Sequence, residues 1–238
     1  MAIKKLKNYN LKAFKLIIAS VSTGNVGQLT ADLLINSLKM EKFALFYHTA
    51  IIPIIGPSAF NEDENELSIS SEFFVSESNK ILILQIRSPI TSYYLESLCE
   101  TIIDFVKTEE ISEIIQLSSA FSYEQHFVQN NPFEFVASAN YTVSENLTAN
   151  FNKSSNLQIP GCGIAIKLHN LATIKQIPSL IVYKYVSEGD NMFDSMQFAE
   201  KFNKLLDTPI IEKEGRADLK IPISWKHLFG HDVNLDIY

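Results

Sequence analysis

The run Ile81-Leu82-Ile83-Leu84-Gln85-Ile86 constrains the fold more than any other part of the chain. Five of its six residues are apolar and do not alternate with polar ones, so a strand here needs cover on both faces. A sheet held between helices supplies that cover, and the remaining sequence alternates as such a fold demands. Phe14 to Ser20 is another β-branched apolar run. It ends at Thr23-Gly24-Asn25-Val26-Gly27, after which Val26, Leu29, Leu33 and Ser37 recur at helical spacing. Ala44 to Tyr47 reads as a buried strand. Leu67, Ile69, Ser71, Phe73 and Val75 read as an edge strand that turns through Ser78-Asn79-Lys80 into the central run. Leu95, Leu98, Ile102 and Val106 predict a helix over 92–107, and Ile111 to Leu117 the next strand.

Around 120–158 the composition changes. This stretch holds no glycine, one proline and seven asparagines, which predicts a solvent-exposed polar excursion containing one short strand at Phe133-Glu134-Phe135-Val136. Ile159-Pro160-Gly161-Cys162-Gly163 then opens a second glycine loop, leading into a helix marked by Ile164, Leu168 and Leu171. Ser179 to Val186 is β-rich. Ser187-Glu188-Gly189-Asp190-Asn191 turns into a helix with Asp190 or Asn191 as N-cap and Phe198, Phe202 and Leu205 on one face. Strands and helices alternate on both sides of the excursion. The expectation is one three-layer α/β/α domain over 1–238, with a mostly parallel central sheet and a short C-terminal tail at 231–238.

Charge narrows the function. The formal net charge is −7, and of 20 cations only Arg87 and Arg216 are arginines. Nucleic-acid backbones call for a basic face, and bidentate phosphate recognition for the arginine fork, so neither partner is expected. Asn8, Asn10, Lys12 and Lys15 interrupt any export signal, and His48, Thr49, Pro53 and Pro57 break the most apolar stretch, so no membrane span is expected. Cys99 and Cys162 are too few for a disulfide framework. The chain reads as cytoplasmic or nuclear.

The enzyme-like feature is the Gly24 to Gly27 loop, where backbone N–H groups at a helix start are able to hold a phosphate. Its GxxG spacing lacks the signature of a dinucleotide or P-loop site, which favours a plain tight turn. Cys162, at a helix start, has the position that lowers a thiol pKa, yet no base can be assigned to it. The five histidines form no HxH or HExxH pair, and Ser118-Ser119 lacks the GxSxG elbow. Arg87, just past the central strand, is the one cation at a carboxyl strand end, where α/β sheets gather their sites; a salt bridge is its simpler use.

Five stretches resemble the proteasome assembly chaperone 2 family: Val21-Ser22-Thr23-Gly24-Asn25-Val26-Gly27-Gln28-Leu29, Leu84-Gln85-Ile86-Arg87-Ser88, Ile159-Pro160-Gly161-Cys162-Gly163-Ile164, Val186-Ser187-Glu188-Gly189-Asp190-Asn191, and Ile221 to Gly230. Their order and spacing span nearly the whole chain. The resemblance implies a non-enzymatic, ATP-independent chaperone without cofactor or metal. Such a protein pairs with proteasome assembly chaperone 1, sits on the outer face of the 20S proteasome α-ring, guides its assembly and blocks off-pathway association of α subunits. The glycine loops would then be structural. The resemblance also implies a C-terminal tail that inserts between α subunits through a hydrophobic-Tyr-any residue ending. Here the chain ends Asp236-Ile237-Tyr238, with no residue after the tyrosine. An aromatic ring beside a free carboxylate suits a docking pocket, and a frayed terminus is the alternative. Apolar residues around Ile51 to Ile55 are expected to form the heterodimer surface. The competing reading is a phosphate- or nucleoside-binding enzyme built on Gly24 to Gly27 and Arg87.

Overall fold

The computed structural model describes residues 3–61, 66–125, 131–154, 158–206, 210, 212–213 and 216–227. The strands are β1 (Ile3–Lys5), β2 (Lys15–Ala19), β3 (Glu41–Phe46), β4 (Ile55–Pro57), β5 (Leu67–Ile69), β6 (Ser71–Ser76), β7 (Ile81–Ile86), β8 (Glu113–Phe121), β9 (Phe133–Ala137), β10 (Asn152–Lys153), β11 (Ser179–Val186), β12 (Glu212–Lys213) and β13 (Arg216–Ala217). The helices are α1 (Val26–Ser37), α2 (Leu95–Thr108), α3 (Glu145–Asn150), α4 (Ala165–Ile174) and α5 (Met192–Asn203).

Nine strands form one sheet in the order β1-β3-β6-β7-β2-β8-β11-β9-β10. Its centre, β7-β2-β8-β11, is parallel, whereas β1, β3 and β6 on one side and β9 on the other add antiparallel neighbours. The sheet is therefore mixed around a parallel core. Helices cover both faces: α2 and α4 bury Leu98, Ile102, Val106 and Leu168 against one, and α1 and α5 bury Val26, Leu34, Phe198 and Phe202 against the other. Each such side chain contributes ~1.5–3 kcal/mol on burial. The run at 81–86 is buried at every position, as its unbroken apolarity requires.

Two expectations are corrected. The 67–75 segment is not an edge strand: it splits into β5 and β6, and β6 lies inside the sheet, buried at all six positions. Phe73 packs on Phe105 at 5.0 Å between ring centroids on one face and Phe74 on Phe60 at 5.3 Å on the other, while Glu72 is neutralised by Lys42 at 3.0 Å. Part of the 120–158 segment also departs from the expected solvent-exposed excursion: among its described residues β9 is largely buried, while 139–146 are mostly exposed. It supplies β9 and β10, and Phe133, Phe135, Leu147 and Phe151 enter the core beneath α5. Its asparagines serve the backbone: Asn131 Nδ2 donates to Asn150 O, Asn152 Nδ2 to Asn131 O, and Asn131 Oδ1 accepts from Phe133 N. A polar composition thus hides a buried strand.

Candidate functional site

The parallel strands β2, β8 and β11 lie side by side, and the loops after β2 and β11, together with the loop that leads into α4, carry the glycine motifs. In an open α/β sheet this is where a crevice forms and a ligand binds. Here the crevice is closed by the protein itself. Gly24 has φ 59°, and a Cβ there would run into the Asn191 side chain. A Cβ on Gly27 would strike the Leu117 carbonyl, one on Gly161 the Thr23 hydroxyl, and one on Gly163, also left-handed at φ 63°, the Val21 carbonyl. The glycines are therefore required by the approach of one loop to the next strand end.

Hydrogen bonds sew the same seam. Thr23 N donates to Gly161 O at 3.0 Å, Ser119 Oγ to Thr23 O at 2.5 Å and Ser118 Oγ to Cys162 O at 3.0 Å. Ser22 Oγ lies 2.7 Å from Ser119 Oγ, and Asn191 Nδ2 donates back to Gly189 O. Asn191 and the 159–163 loop thus pack directly against the first turn. Both serines are committed to carbonyls.

Arg87 is also committed. Its guanidinium grips Asp32 of α1 with both arms, at 3.1 and 2.7 Å, and lies over the Phe60 ring at 5.6 Å. Asp32 is buried and also accepts from Gln85 Nε2 at 2.9 Å. The arginine fork thus ties β7 to α1, as a salt bridge does.

The lowered thiol pKa expected for Cys162 is reversed. Burial pushes its thiol up, and pushes Cys99 up to about 11, because the helix start cannot offset the loss of water around a thiolate. His169 is buried with Nδ1 2.9 Å from Ser179 Oγ, and burial lowers its pKa. Among the described residues no three His, Cys, Asp or Glu side chains gather as metal ligands, and no helix is long and apolar enough to cross a membrane.

The same end of the sheet bears apolar residues of a different kind. Ile51 is a core residue at 5% exposure, but Ile52, Ile54 and Ile55 stand out at 44, 52 and 66%. They are joined by Leu67 and by Tyr93 and Tyr94, which the sequence reading passed over. The adjacent Tyr-Tyr at a helix start, where a polar cap is usual, was the available signal. Tyr123 is exposed singly after β8, and Phe193 in the first turn of α5. Asp236, Ile237 and Tyr238 lie outside the described residues.

Comparison with known proteins gives these features a setting. A mouse protein named proteasome assembly chaperone 2 is 33% identical over 246 residues, 93% of each chain, and the human protein of that name is 32% identical with the same coverage. Among solved structures, Pyrococcus furiosus PbaA, described as an archaeal homolog of proteasome-assembly chaperone, superposes with a TM-score of 0.68. That match covers 89% of this chain and 84% of PbaA at 16% identity, and it establishes likeness of fold. Residues 16–213, from β2 through β12 and including the three glycine-bearing loops, match the model of the PAC2 family, and the chain belongs to that family.

Proposed function

We propose that this chain is a proteasome assembly chaperone that works by covering protein surface and catalyses nothing. It pairs with proteasome assembly chaperone 1, and the pair binds the outer face of the 20S α-ring, promotes correct ring assembly and keeps α subunits from off-pathway association. It does so without ATP, in the cytoplasm or nucleus. The observation that carries this reading is similarity along more than nine-tenths of the chain to proteins named as proteasome assembly chaperones. The geometry supports it. The switch-point crevice is packed with the protein's own loops, and large apolar side chains stand exposed beside it.

Affinity purification of the tagged chain from cells is the test. Proteasome assembly chaperone 1 and α subunits should co-purify, and recovery of neither defeats the reading. Nucleotides and nucleosides should leave the melting temperature unchanged; a saturable rise would favour the enzyme reading built on Gly24 to Gly27. In this proposal Asp236, Ile237 and Tyr238 form the docking tail. Deleting them should weaken α-ring binding with no change in melting temperature, and an unchanged affinity would remove the tail from the mechanism.

A further inference from the structure

We propose that Ile52, Ile54, Ile55, Leu67, Tyr93 and Tyr94 form one preorganised apolar shelf, and that its occupant is the second subunit of the heterodimer, bound permanently. The inference rests on the heterodimer reading above and adds the surface that performs it.

The shelf is continuous because two segments run side by side in opposite directions. Ile51 bridges Ile90, Ile52 N donates to Pro89 O at 3.2 Å, Thr91 N to Ala50 O at 2.8 Å, and Ser88 Oγ to Ile52 O at 2.7 Å. Tyr93 and Tyr94 extend this strip at one end, their rings packed edge to face at 4.7 Å. At the other end Ile54 and Ile55 lead into the β4–β5 ribbon, where Ile55 pairs with Ile69 and Pro57 with Leu67. Two-stranded ribbons are marginal in water by themselves. At Gly56 this one faces open space, where a Cβ would meet nothing within 4 Å.

Area and charge identify the occupant. The six side chains are 44 to 85% exposed. At ~200 Å² for a fully exposed large side chain, they present on the order of 700 Å². A stable two-chain interface buries about 800 Å² on each partner, so this patch nearly suffices alone, whereas isolated exposed apolar residues such as Tyr123 carry no such meaning. Charges at its border are already neutralised inside the molecule: Arg87 by Asp32, and Lys42 by Glu66 at 3.2 Å and Glu72 at 3.0 Å. Lys42 Nζ also donates to Leu67 O at 3.1 Å, which fixes the ribbon to the sheet. Among the described residues, these border cations are held within the molecule, and the six shelf side chains themselves carry no charge. Lasting interfaces are apolar in this way, while surfaces that meet and release successive partners are about as polar as the rest of the protein.

Co-expression of the tagged chain with proteasome assembly chaperone 1 separates this inference from the reading beneath it. The wild-type chain should recover the partner, and Ile55→Arg combined with Tyr93→Arg should cut recovery roughly tenfold or more. Equal recovery by wild type and double variant would overturn the shelf and leave the heterodimer standing; no recovery by wild type would overturn both. Ile55→Cys guards against a misfolded variant, since the native cysteines are buried. Its alkylation by a maleimide should be fast in the free chain and slowed roughly tenfold or more in the heterodimer. Unslowed labelling in the heterodimer, or protection that arises in the chain alone or only with α subunits, would overturn the assignment.

Discussion

The two regions at the carboxyl end of the sheet use apolar and small residues in opposite ways. Above β2, β8 and β11 the glycines, serines and Asn191 close on one another until no side chain fits between the loops. Above β7 the residues after Ile51 turn outward, and isoleucines and tyrosines stand in water. The first region has recognisable motifs and is sealed; the second has none and is open. Motif density therefore marks where backbone geometry is tightly constrained, which need not be where partners bind. A phosphate-binding scaffold leaves its glycine loop free to face the ligand, and this one has spent that freedom on packing.

Substituting the sealed region should cost stability in proportion to the collision and the backbone strain that the new side chain meets. Gly163→Val combines left-handed backbone with a collision against the Val21 carbonyl and should destabilise the fold by about 4 kcal/mol. Gly27→Val meets the Leu117 carbonyl and the Ser118 backbone nitrogen, with ordinary helical backbone, and should cost about 2 kcal/mol. Urea denaturation checks both, and equal, small losses would mean that the loops can part. On the shelf, Ile55→Ala should change stability by no more than about 0.5 kcal/mol, because little of that side chain is buried. A large loss there would make the shelf part of the core and end the contrast.

Arg87 sits at the boundary between the regions. Arg87→Ala strands the buried Asp32 carboxylate and should cost about 2 kcal/mol, reduced from the usual cost of breaking a buried pair because the arginine is partly in water. Arg87→Lys should restore only part of this, since lysine cannot supply both arms of the fork. Complete rescue by lysine would show that charge alone, without the two-armed grip, holds β7 to α1.

Periodicity was enough to read β2, α1, β7, α2, α4, β11 and α5 within a few residues, because each carries its own burial pattern. β1 was illegible, since three residues with two lysines have no periodic signature and depend on β3 for their existence. β6 read as an edge because Ser71 and Glu72 look solvated, and only Lys42 across the sheet makes a buried glutamate tolerable. The Asn-rich arm misled for the same reason: its polar atoms are satisfied locally, so composition gave no sign of the buried phenylalanines' destination. For the candidate site, the glycine loops were legible as turns but their mutual contact was not. Ile51 and Ile55 are the same residue type four positions apart, yet one is core and the other shelf. That difference is set by the bridge to Ile90, which no local pattern encodes.

The smallest expected effect concerns pH. His169 is on the buried face of α4 at 4% exposure, and burial holds its folded pKa below the ordinary value of about 6.5. The unfolded chain then binds the proton more readily, so stability is fully present above that value and falls as pH drops through it. His48 is shifted in the same direction by burial, so the two losses add. Between pH 7.5 and 5.5 each histidine contributes a slope of at most about 1.4 kcal/mol per pH unit. His169→Gln should make the fall shallower while keeping a hydrogen-bonding partner for Ser179. His48 lies at the base of the shelf, where its Nδ1 accepts from Ala50 N at 3.0 Å, so its protonation breaks that bond, whereas His169→Gln should leave partner binding through the shelf unchanged. A partner affinity that changed with His169→Gln would couple the two regions that the structure keeps apart.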